Sequence, residues 1–116
     1  MNKIEILGRM VQNIEMKESK QDKTKKYGVF TLAVPRKIDK EKTDFIQCVA
    51  FGKLAETIEK YTEKGNRIII EGSLQIDKYD DKEGNKKMSV SIIVNDFYFV
   101  DFKVTKKEGE TQELPF

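Results

Sequence analysis

Apolar and polar residues alternate along most of this chain, and the alternation yields to helical spacing once, in KLAETIEKYTEK at 53–64. There Leu54, Ile58 and Tyr61 fall at i, i+4 and i+7, on one face of a helix, and Gly65 supplies a C-terminal stop. The flanking segments read as strands. KIEILGRMVQNIE at 3–15 begins with Ile4 and Ile6 in alternation and then meets Gly8, the mark of a bulge or a close backbone approach. EMKESKQDKTKK at 15–26 has no apolar period; its lysines outnumber Glu18 and Asp22, and it reads as an exposed, mobile, basic loop. YGVFTLAVP at 27–35 is rich in β-branched and aromatic residues and stops at Pro35, which cannot donate to a ladder.

FIQCVAF at 45–51 places Phe45, Gln47, Val49 and Phe51 on one face and Ile46, Cys48 and Ala50 on the other, with Cys48 as a small core residue. NRIIIEGSLQIDKY at 66–79 sets Ile68, Ile70, Leu74 and Ile76 on one face around Gly72. DDKEGNKK turns through Gly84 and Asn85, and MSVSIIVNDFYFVDF forms the last strand. Three strands, one helix and two more strands make an all-β class with one short helix. The order fits a five-stranded OB-fold barrel with its helix packed across one end; an antiparallel sandwich is the structural alternative. Residues 1–102 are expected to form this domain, and 103–116 a disordered C-terminal tail.

At 116 residues the chain suits one domain. Its 22 basic and 20 acidic residues leave a net charge of +2, so the placement of charge matters more than its sum. With no histidine and the single Cys48, a disulfide framework, a zinc site and a histidine-based dyad are excluded, and no cofactor or metal is implied. No apolar run approaches the roughly 20 residues that cross a bilayer, and MNKIEILG has no signal-peptide character, so no membrane role and a cytoplasmic setting are expected.

An OB barrel offers a concave face suited to oligonucleotides, and a single strand needs rings for its bases and cations for its phosphates. Phe45, Phe51 and Tyr79 are the candidate rings; Phe51 has Lys53 nearby and Tyr79 has Lys78. Burial in the core is the commoner fate of an aromatic on an alternating strand.

FGKLAE at 51–56, Tyr61 to Gly65 in a Y-x-x-K-G turn and IEGSL at 70–74 stand in the order found in the bacterial and phage single-stranded DNA-binding protein family, which this chain resembles. The match extends back through NKI at 2–4, LGR at 7–9 and FTLA at 30–33, and forward into SIIVNDF, covering residues 2–97. The resemblance implies a non-enzymatic protein that coats single-stranded DNA in replication, recombination and repair. It implies stacking at Phe45, Phe51 and Tyr79 and phosphate contacts at Lys3, Arg9, Lys53 and Lys78. It further implies a homo-oligomer, a tetramer first and a dimer second. The chain departs from the family in lacking tryptophan, in carrying Ile38 where the family often has another tryptophan, and in placing Gln47 and Asp77 where arginines are common. Each change removes stacking surface or positive charge, which predicts weaker binding, offset in part by the basic 17–26 loop.

The last nine residues, EGETQELPF, hold three glutamates and no lysine, too polar to fold alone. Glu113, Leu114, Pro115 and Phe116 offer a ring for an apolar pocket and a restricted backbone, suited to a partner. The resemblance assigns such a tip to the recruitment of replication and repair proteins. The short tether and the lysine-rich composition point to a phage or mobile-element version, with a compact cellular paralogue as the alternative. Three rival functions remain at this level: an OB-fold adaptor acting through protein contacts, an RNA-binding OB protein, and a nuclease built on Asp80, Asp81 and Glu83 beside Lys82. A solvated hairpin tip is the simpler account of that acidic group.

Overall fold

The computed structural model describes residues 1–22 and 24–101, so the segment 103–116 with its Glu113–Phe116 tip lies outside the described residues. Six strands and one helix follow in the order β1 (Ile4–Met10), β2 (Glu15–Glu18), β3 (Lys26–Pro35), β4 (Thr43–Phe51), α1 (Gly52–Tyr61), β5 (Arg67–Asp80) and β6 (Lys86–Phe99). The sheet runs β1-β5-β6-β4-β3-β2, and an extra β1–β3 pairing at Arg9↔Ala33 and Met10↔Leu32 closes it into a ring. Every adjacent pair is antiparallel except β4–β6, where Gln47, Cys48 and Val49 run parallel to Ser91, Ile92 and Ile93.

The expected five strands are present, with the first broken in two. Residues 11–14 interrupt it, Ile14 turns inward, and Glu15–Glu18 resumes as a short strand against β3, from Glu15↔Val29 to Glu18↔Lys26. The segment read as a loop from residue 15 thus starts as a ladder, because a partner strand satisfies its backbone despite its polar side chains. Beyond it, Thr24 donates from backbone and hydroxyl to Asp22 Oδ1 at 3.0 and 2.6 Å, a local turn that holds the Asp22 carboxyl below its usual range.

The core follows the alternation. Met10, Phe30, Leu32, Cys48, Ala50, Ile68, Ile70, Ile92 and Val94 fill the barrel, and Ala55 and Ile58 of α1 plug one end. Burial pushes the Cys48 thiol up to about 12, which leaves it protonated and unreactive. The helix is shorter than its sequence window: it ends at Tyr61, where Thr62 takes an extended conformation and returns its amide and hydroxyl to the Ile58 carbonyl at 3.0 and 2.6 Å. Tyr61, expected on the buried face, is about half exposed and leans its ring on Phe99, 5.9 Å between centroids.

Gly8 is a close approach rather than a bulge: a Cβ there would lie 2.8 Å from Leu32 Cβ, where β1 and β3 close the ring. The bulge falls opposite Glu71 and Gly72, where Glu71 pairs with Asp96 and Gly72 with Val94, leaving Asn95 as the extra residue of β6. Past this point the β5–β6 ribbon leaves the barrel as an arm. Leu74 and Ile76, placed by alternation with the core, therefore stand 40% and 52% exposed on it.

Candidate nucleic-acid interface

Ladder register decides which side chains share the outer side of the sheet. On β4, Phe45, Gln47, Val49 and Phe51 point away from the buried Cys48 and Ala50, as their spacing predicts. Phe45 and Phe51 remain 66% and 54% exposed on a strand whose alternate residues are buried. Ala33 lies across from Phe45 and leaves its ring uncovered, whereas Tyr27 lies across from Phe51, with the two centroids 6.0 Å apart and the planes 39° from parallel. The two phenylalanines are separated by about 20 Å along the strand.

The third ring stands on the arm. Tyr79, 53% exposed, shares a side of the ribbon with Gln75 and Asp77, and Ser91 joins Gln75 on β5 to Gln47 on β4. Because β4 runs parallel to β6 and β5 runs against it, Phe45 and Tyr79 lie on the same side of that Gln47–Ser91–Gln75 row and Phe51 on the other. An extended strand crossing the sheet would meet the rings in succession.

The candidate cations are spread differently. Lys53 opens α1 beside Phe51, where Lys25 and Lys26 line the same depression, so this ring has a basic surround. Lys78 projects from the side of the ribbon opposite Tyr79; the cation facing Tyr79 across the ladder is Lys87. Arg9 donates from Nη1 to the Gly65 carbonyl at 2.7 Å, which fixes it near the start of β5. Lys3 lies 3.2 Å from Glu71 and 3.8 Å from Glu5, and Glu71 above all holds its ammonium charged above the usual lysine range. With two carboxylates beside it, Lys3 has less field to offer a phosphate than Lys53 or Lys87. Tyr27, Lys26 and Lys87 escape a reading made strand by strand, since only cross-strand register brings them to a ring.

The acidic turn serves the backbone. Asp81 Oδ1 accepts from the amides of Glu83 and Asn85 at 2.9 and 2.8 Å, and Gly84 has φ +81°, so the carboxylate fastens the hairpin tip. Among the described residues no group of three acidic or cysteine side chains could hold a metal. No described helix is long and apolar enough to cross a membrane.

The model of the single-strand binding protein family matches residues 1–100. The chain belongs to that family. Among family relatives, the single-stranded DNA-binding protein of Clostridium perfringens is 35% identical over 101 residues, 87% of this chain and 67% of its own length. That of Thermotoga maritima is 33% identical over 118 residues, covering 97% and 82%. Single-stranded DNA-binding protein 1 of Clostridium acetobutylicum is 33% identical over 94% of this chain and 99% of itself. A solved structure described as a Plasmodium falciparum SSB complex with ssDNA superposes with a TM-score of 0.72 at 27% identity, over 87% of this chain and 96% of that one. As a member of the single-strand binding protein family, the chain has the OB barrel expected from its strand order, and family members of this kind bind rather than catalyse.

Proposed function

We propose that this chain binds single-stranded DNA without sequence requirement, coating and protecting it in replication, recombination and repair. The observation that carries the proposal is the exposure of Phe45, Phe51 and Tyr79 on the outer side of one sheet, within reach of a single extended strand laid across it. Every base has a π face, so stacking on these rings serves any sequence, while Lys25, Lys26, Lys53 and Lys87 attract the backbone. Titration with oligo(dT), followed by tyrosine fluorescence at two salt concentrations and repeated with duplex, tests this. Quenching by the single strand, little response to duplex and an affinity that falls as salt rises are expected; equal affinity for both forms would refute it.

A homo-oligomer, tetrameric before dimeric, is part of the proposal. Leu7, Ile69 and Tyr98 lie in register across β1, β5 and β6 on the outer side, with Leu7 51% and Tyr98 55% exposed, and the part of β1 that precedes Arg9 pairs with β5 alone. Several barrels joined this way would lengthen the DNA path and multiply modest affinities.

The Glu113–Phe116 segment is proposed to recruit replication and repair proteins, on the strength of its acidity, its proline and its apolar Leu114 and Phe116. Removing Leu114, Pro115 and Phe116 is expected to abolish co-purification of such partners while leaving oligo(dT) affinity within about twofold. Unchanged co-purification would end the recruitment idea.

A further inference from the structure

Between its rings the outer side of the sheet carries neutral hydrogen-bonding groups: Thr31, Gln47, Ser91 and Gln75 stand in register across β3, β4, β6 and β5. Next along β5 comes Asp77, between Gln75 in that row and Tyr79, and on the same side of the ribbon. A carboxylate is an adverse charge on a surface meant to meet phosphates. Its exposure on the arm shows that the core does not require it. Gln75 Nε2 donates to Asp77 Oδ2 at 3.0 Å, which orients the carboxylate along the strand. Among the described residues it forms no ion pair: the cation across from Tyr79, Lys87, lies more than the ion-pair distance away. An acceptor with full negative charge is thereby held about 7 Å along the strand from a stacking ring.

We infer that Asp77, oriented by Gln75, reads the hydrogen-bonding edge of the base stacked on Tyr79 and favours bases with an exocyclic amino group over thymine. A carboxylate only accepts. Cytosine, adenine and guanine each present an amino group with N–H to donate, whereas thymine has a single imino N–H set between two carbonyl oxygens, so a carboxylate that accepts from it is brought close to a second acceptor. Stacking continues to accept every base, and Asp77 tilts the balance among them. The inference rests on the single-strand reading proposed above.

Asp77→Asn tests it, since asparagine keeps the shape, loses the charge and both donates and accepts. Dissociation constants for oligo(dC) and oligo(dT) of equal length are measured at mildly alkaline pH with the parent protein and the variant. The homopolymers differ in stiffness, but that difference is common to both proteins and cancels. Relief of phosphate repulsion tightens both strands alike, so base reading shows only in their ratio. The preference for oligo(dC) relative to oligo(dT) is expected to fall about fivefold in the variant, the net worth of one ordinary hydrogen bond, since asparagine still has an oxygen that accepts. An unchanged ratio overturns the inference and makes Asp77 a brake on backbone affinity. Failure of the parent protein to bind either strand is a different result, and it removes the underlying single-strand reading.

Discussion

Replacing Phe45 and Tyr79 together by alanine is expected to weaken binding of oligo(dT) by on the order of a hundredfold, with the fold intact. Each base stacked on an aromatic side chain contributes about 1–3 kcal/mol, or roughly 5- to 150-fold in affinity. Both rings are more than half exposed, so their loss opens no cavity and the melting temperature should hardly move. Phe51→Ala should have a mixed effect, because that ring also leans on Tyr27. Fluorescence titration of the double variant beside the parent measures the first effect, and thermal unfolding checks the second. A loss smaller than about threefold would assign the affinity to lysines and exclude stacking as its source.

Gly72→Ala is expected to produce the largest loss of stability of any single methyl added to this barrel. The new Cβ would meet the carbonyl carbon of Ile93 at 2.9 Å and Ile92 Cγ2 at 3.0 Å, and would press hardest on the Ile93 carbonyl oxygen. These atoms belong to the backbone and core face of β6 beside the bulge, so no flexible side chain can yield. Overpacking costs roughly 1–3 kcal/mol where side chains can shift and more where backbone must move. At about 3 kcal/mol a domain of this size would melt more than about 10 °C lower. Ser73→Ala, one residue on and facing outward, is the control and should change stability by less than about 0.5 kcal/mol. A Gly72→Ala protein that melts with the parent would show that the ribbon flexes at the bulge.

The sequence carries the faces of this fold more faithfully than its edges. Period-two spacing sorts β4 correctly, with Cys48 and Ala50 in the core and Phe45 and Phe51 outside, because one side of that strand is sealed by the barrel. The same rule puts Leu74 and Ile76 with Ile68 and Ile70, and they do share a side of β5. Alternation reports a side and cannot report what covers it, and the β5–β6 ribbon runs on past Gly72, where β5 loses its β1 partner, and past Ser91, where β6 loses β4. β2 is hidden for another reason: Glu15–Glu18 has no apolar signature, and its strand conformation comes from hydrogen bonds offered by β3. The helix stops at Tyr61 because Thr62 caps it, a local bond that competes with the turn signal at Gly65. At the candidate interface the outward placing of the rings is legible and their surroundings are not. Lys78 adjoins Tyr79 in sequence yet lies across the ribbon from it, while Lys87 and Tyr27 reach their rings only through register.

The position of β6 between β4 and β5 also governs how the chain can come to be folded during its own synthesis. β3 and β4 can zip as neighbours as soon as both have emerged, but the wall between β4 and β5 is supplied by β6, the last of the described strands. Its parallel seam with β4 joins residues far apart in sequence, so the entropy of closing that long loop must be overcome before any contact rewards it. Until the ribosome has delivered nearly the whole domain, the inward faces of β3 and β4 stay open to water and to other nascent chains, and closure comes as a single late, topological step.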